Sequence, residues 1–146
     1  MGILKAIKGS FEYKAYKGWD TIYYAFDIHS TMIKPNYQVG NIPTEFYPMA
    51  KETLQLMSER KDIVMILYTC SHPHEIEQYL KFFGDNGINF KYVNENLDVA
   101  TDLNGYGNYD KKPYFNVLFE DKAGFDADVE WHKIHRYFTK KLQNAI

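Results

Sequence analysis

The stretch "DIVMILY", residues 62–68, constrains the fold more than any other part of the chain. It is a continuous apolar run rich in β-branched residues, with no alternation between polar and apolar positions. A strand that shows one face to water alternates; a strand without alternation is covered on both faces. That reading calls for a parallel sheet between two layers. The flanking segments supply helices. In "TEFYPMAKETLQLMSER" (44–60), Phe46, Met49, Ala50, Thr53, Leu54 and Met57 fall at helical spacing, with Thr44 as N-cap and Pro48 near the first turn. In "SHPHEIEQYLKFFGDNG" (71–87), Ile76, Tyr79, Leu80 and Phe83 share a face, and Asn86-Gly87 is a stop signal.

The same alternation continues on both sides. "DTIYYAFD" (20–27), "INFKYV" (88–93) and "PYFNVLFED" (113–121) read as strands, and "DADVEWHKIHRYFTKKLQ" (126–143) as a helix with a basic end. "KPNYQVGNIP" (34–43) is loop, and "NENLDVATDLNGYGNYDKK" (94–112) is long enough to suggest a functional connection or partial lid. Residues 1–20 are read as an N-terminal arm, or as an extra strand or hairpin. The order predicts an α/β fold, a Rossmann-like three-layer α/β/α sandwich with a mostly parallel central sheet. A length of 146 residues fits a single domain, 1–146, with its core in 21–146.

Composition narrows the function classes. The net charge of −2 gives no basic field to hold nucleic acid. A single cysteine, Cys70, excludes an internal disulfide and fits a reducing, cytoplasmic setting. No window approaches the roughly 20 apolar residues of a membrane span. The opening "MGILKAIKGSFEYK" reads as neither a signal peptide nor a myristoylation site, because position 6 is Ala.

In parallel α/β sheets, ligands bind beyond the carboxyl ends of the strands. Asp27-Ile28-His29-Ser30-Thr31 follows the first strand, and Thr69-Cys70-Ser71-His72 follows the second. Lys112 precedes the last strand, and Glu120-Asp121, with Asp126, follows it. Any one of these residues alone would read as a turn, cap or solvated surface group; together they form a set. Cys70, His72 and His74 also offer soft ligands, but their spacing is not that of a closed zinc site.

This constellation resembles the haloacid dehalogenase-like superfamily of phosphohydrolases, over roughly residues 22–130. The family's first motif, Asp-x-Asp-x-Thr after a strand, is matched by "FDIHST" at Asp27 and Thr31, with His29 in place of the second Asp. "MILYT" carries the Thr69 of the second motif, Lys112 (Lys111 in reserve) stands for the third, and "VLFEDKAGFD" supplies the acidic fourth. The resemblance implies a Mg²⁺-dependent phosphohydrolase that forms an aspartyl-phosphate on Asp27. The implied metal set is Asp27, the backbone carbonyl of His29, and Asp121, with Glu120 or Asp126 holding waters of the shell. Thr31, Thr69, Cys70 and Lys112 are the implied phosphate contacts, with Lys112 balancing charge.

The chemistry requires these residue types. Phosphate monoesters hydrolyse so slowly that rate factors up to about 10²¹ are needed. A carboxylate nucleophile splits the reaction into two steps, but it repels the dianion by about 4 kcal/mol per charge pair at roughly 4 Å and an effective dielectric near 20. A divalent cation offsets that repulsion. His29 has a ring that can do the acid–base work of the missing Asp. The absence of a domain-sized insertion implies a capless member with an open cleft, acting on a small or macromolecular phosphorylated substrate, or borrowing a lid from an oligomer or partner. Two alternatives stand beside this expectation: a catalytically weak relative serving as a binding or regulatory module, and a phosphatase of nucleic-acid ends.

Overall fold

The computed structural model describes residues 2–36, 40–99 and 112–141. It has the Rossmann-like three-layer α/β architecture that the sequence predicts. A helix α1 (Ile3–Lys17) leads into β1 (Ile22–Phe26), α2 (Ala50–Glu59), β2 (Ile63–Leu67), α3 (Pro73–Asp85), β3 (Tyr92–Val93), β4 (Val117–Phe119) and α4 (Glu130–Arg136). A π-helical segment, Tyr137–Lys141, continues α4. The strands form one sheet in the order β3-β2-β1-β4. Every pairing is parallel, with Phe26 opposite Leu67 on one side and opposite Phe119 on the other.

Side-chain alternation along the strands assigns the layers. Tyr24, Phe26, Met65, Leu67 and Phe119 belong to the main core, in which Phe26 stacks on Phe119 with centroids 4.4 Å apart. Phe119 stacks in turn on Trp131 of α4, and Phe26 meets Phe90 beside Phe83 of α3. The opposite face carries Ala25 and Ile66, both fully buried. It meets the segment joining β3 to β4: Tyr23 packs on Tyr114, and Tyr68 on Phe115. The uninterrupted apolar run of β2 is thus explained by cover on both faces.

Three local expectations need correction. Residues 3–17 are helical, not a strand or hairpin. Ile3, Ile7, Ser10 and Phe11 make a stripe at i, i+4, i+7 and i+8, which interspersed Lys and Gly residues conceal; Ile7 and Ser10 are buried, and the Ser10 hydroxyl lies 2.8 Å from Tyr24 Oη. Gly18, at φ 72°, ends the helix in the left-handed region that favours glycine. Thr44 is not an N-cap, because α2 begins at Ala50 after Met49. Phe46 instead bridges Ile33, so residues 44–46 belong to an extended approach. Finally, "INFKYV" pairs only at Tyr92–Val93, as an edge strand. Among the described residues, no helix is long and apolar enough to cross a membrane.

Candidate active site

Strand order locates the site. The chain runs outward from β1 to β2 to β3, then returns to place β4 on the other side of β1. Because β1 and β4 are neighbours, the loops that leave their carboxyl ends, where parallel α/β sheets place their ligand sites, meet there. Asp27 stands at the end of β1 and Glu120-Asp121 at the end of β4. The Asp27 amide donates to Phe119 O (2.9 Å), which continues the ladder and fixes the two loops side by side. One oxygen from each of Asp27, Glu120 and Asp121 lies within 4.8 Å of the others. No ion pair among the described residues neutralises these carboxylates.

The loop after β1 is wound tightly. The Ile28 carbonyl accepts from the amides of Met32 (2.9 Å) and Ile33 (3.0 Å), and Ser30 sits at φ 63°. This coil buries Thr31 completely. Its hydroxyl donates to Asp27 Oδ2 (3.4 Å) and accepts from the Asp121 amide (3.1 Å). Its carbonyl accepts from the Trp131 indole N–H (2.8 Å). Thr31 therefore ties the two acidic loops to each other and to α4, with its hydroxyl committed to that link.

Half-burial pushes the Asp27 carboxyl up to about 6. The charges of Glu120 and Asp121 push in the same direction, and a backbone hydrogen bond at Ile28 opposes them. Three crowded acids without a cation hold a proton more tightly than an isolated one. The set is all oxygen, as hard divalent cations prefer.

A cleft of about 460 Å³ opens beside Asp27, within the range of small-ligand sites. Glu120, Lys122, Thr69 and Cys70 supply its polar wall; Tyr68, Pro113 and Leu118 supply an apolar one. Thr69 is held by Asn94, whose side-chain amide accepts from the Thr69 N–H and donates to its carbonyl, both at 2.8 Å. The Thr69 hydroxyl is 2.9 Å from Ser71 Oγ and also accepts from the Ser71 amide (3.1 Å).

Asp27, Thr69, Cys70, Glu120 and Asp121 of the expected set are thus brought together, with Thr31 as the buried link between the acidic loops. Three residues stand elsewhere. Lys112 is exposed at the approach to β4 and is not among the cleft's lining residues, where Lys122 stands instead; Lys111 and most of the expected partial lid lie outside the described residues. Asp126 is exposed, accepts from the Asp128 amide (3.1 Å) and precedes the turn that leads into α4, apart from the acidic trio. The His29 Nε2 lies 2.6 Å from Tyr79 Oη of α3, and His29 does not line the cleft. Burial lowers the His29 pKa against the opposing charge of Glu75, and burial raises the Tyr79 phenol to about 12.

Sequence reading missed Lys122, Asn94 and Tyr79. The strand-end rule, applied to the short edge strand as well, would have found Asn94. Lys122 directly follows the acidic pair, so adjacency was the available signal. Tyr79 carried none beyond its helical stripe.

No protein-family model matches the chain, and no curated protein matches it. A solved structure of a conserved protein from Bacteroides thetaiotaomicron is similar, with a TM-score of 0.60 and 20% sequence identity over 86% of this chain and 95% of that one. A likeness at that identity concerns the fold.

Proposed function

We propose that the chain is a capless haloacid dehalogenase-like phosphohydrolase that uses Mg²⁺ and forms an aspartyl-phosphate on Asp27. The observation that carries this reading is the gathering of Asp27, Glu120 and Asp121 within 4.8 Å at the point where strand order reverses. The all-oxygen donors, without an ion-pair partner among the described residues, fit Mg²⁺. When bound there, the ion supplies charge neutralisation for the carboxylate and the phosphate.

The chain's own residues do the rest. Ionised Asp27 presents an oxygen to phosphorus; the new O–P bond forms as the bond to the leaving oxygen breaks. Lys122 and the Thr69 hydroxyl, on the cleft wall, meet the phosphoryl oxygens. Water then releases inorganic phosphate and regenerates Asp27. Thr31 keeps the two acidic loops in register throughout.

The His29–Tyr79 pair favours a second reading, a phosphate-binding relative with slow turnover. With the imidazole engaged by a phenol on α3 and outside the described cleft lining, His29 is not placed to protonate the leaving oxygen. A phenolate leaves without help; an alkoxide does not. Aryl and alkyl phosphates should therefore be compared with and without Mg²⁺, in wild type and Asp27→Asn. Metal-dependent aryl turnover that vanishes in the variant supports the enzyme. No turnover between pH 5 and 9, with no fluorometallate complex at Asp27, defeats it. Alkyl turnover gained only in His29→Asp favours the second reading.

A further inference from the structure

A second concave site lies at the other end of the sheet. It is a cleft of about 370 Å³ whose described lining residues include Trp19, Asp20, Tyr23, Val99, Tyr114 and Asn116. Trp19 and Asp20 precede β1 and Asn116 precedes β4, whereas the acidic trio follows both strands. The two clefts share no described lining residue, although Pro113 of the first and Tyr114 of the second are neighbours in the chain.

Its walls are aromatic and held in place. The rings of Tyr23 and Tyr114 stand at 82° with centroids 6.0 Å apart, so they form a corner. Asn116 fixes that corner from both sides: its Oδ1 accepts from the Tyr23 amide (2.7 Å), and its Nδ2 donates to Tyr114 Oη (3.0 Å). Tyr23 Oη donates to Asp98 Oδ2 at 3.4 Å. Trp19 adds a third aromatic side chain, and Asp20 adds a carboxylate; no lysine or arginine is among the described lining residues.

A flat ring is best held in a slot between parallel walls, which a perpendicular corner does not offer. A compact cation gains from several ring faces at once, because each presents its negative quadrupole. A neighbouring carboxylate adds to that attraction, and walls fixed in advance lose little freedom on binding. We propose that this cleft binds a methylated ammonium group, carried either by a small molecule such as choline or by a methylated lysine of another protein. The site is independent of the phosphohydrolase reading.

Choline, its uncharged isostere 3,3-dimethylbutan-1-ol and a peptide bearing trimethyllysine should each be titrated into the full chain, followed by the Trp19 indole NMR resonance. Trp19→Phe identifies that resonance against Trp131. Choline is expected to saturate the site, with the neutral isostere at least tenfold weaker. Asp20→Asn, an exposed change, should weaken choline a few-fold; Tyr114→Leu should weaken it tenfold or more, and Tyr114→Phe, which keeps the ring, should not. A peptide tenfold tighter than choline assigns the group to a protein partner; equal or weaker peptide binding assigns it to a small molecule. Equal affinity for choline and the neutral isostere, or choline binding unaffected by both Asp20→Asn and Tyr114→Leu, overturns the proposal. So does the absence of any shift of the Trp19 resonance at tens of millimolar choline.

Discussion

Under the proposed chemistry Asp27 carries two opposed demands. As a nucleophile it would have to be ionised, yet its surroundings favour the proton. Its pKa of about 6 lies above the ordinary value of 3.8, so the folded state binds that proton more tightly than the unfolded chain. The resulting stability is fully present below about pH 4 and is lost as pH rises through 6. Asp27→Asn should therefore stabilise the metal-free protein above pH 6 by about 1 to 2 kcal/mol, discounted for the carboxyl's partial exposure. That gain should fade below pH 4, as denaturant unfolding at a series of pH values would reveal; a pH-independent difference would contradict the assignment. Thr31 makes a different kind of contribution. Thr31→Val keeps the shape but leaves the Asp121 amide without its acceptor, which costs about 1–3 kcal/mol in unfolding experiments. A loss below 0.5 kcal/mol would mean that the link between the loops is dispensable. Asp27, Thr69, Glu120 and Asp121 were legible in the sequence because the strand-end rule works on adjacency. The engagement of His29 by Tyr79, 50 positions away, was not, because local sequence does not encode which helix face passes over a loop.

At the scale of elements, the sequence was most legible where periodicity was strong and least where packing decides. β2 announced itself because both its faces are covered. Helix α1 did not, since only Ile7 and Ser10 of its stripe are buried and Gly9 interrupts its interior. Its place in the fold rests on packing: Phe11 meets Phe138, and Ser10 meets Tyr24. Ile7→Ala should thus destabilise the whole domain by about 2–4 kcal/mol, the range for emptying a buried aliphatic site. A cost below 1 kcal/mol would make α1 a detachable arm after all. The edge strand β3 was overestimated for a related reason. Its neighbours bond elsewhere, with the Asn89 amide on Ser58 Oγ (2.9 Å), so β-propensity found only two partners in the sheet.

For the whole molecule, the parallel topology and the site are inseparable. Thr31 and Asp121 are 90 residues apart in sequence, and the pairing of β1 with β4 brings them together. Pairings of such long range are slow to form, because the entropy of closing the intervening loop is lost before the contact is gained. If β4 docks after the folding barrier, Mg²⁺ should slow unfolding in stopped-flow experiments and leave the refolding rate unchanged. An equal acceleration of refolding would place β4 in the barrier ensemble. Asp121→Asn should reduce either response.

The parallel return of β4 to the flank of β1 has one more consequence, which concerns when the protein becomes competent. During synthesis, everything up to β3 is made while the growing chain carries a single carboxylate of the trio. That partial chain has neither the repulsion between acids nor the set of three carboxylates on which the proposed metal site depends. Both arrive together, with the end of the last strand, so the docking of β4 and the assembly of the carboxylate cluster are the same event.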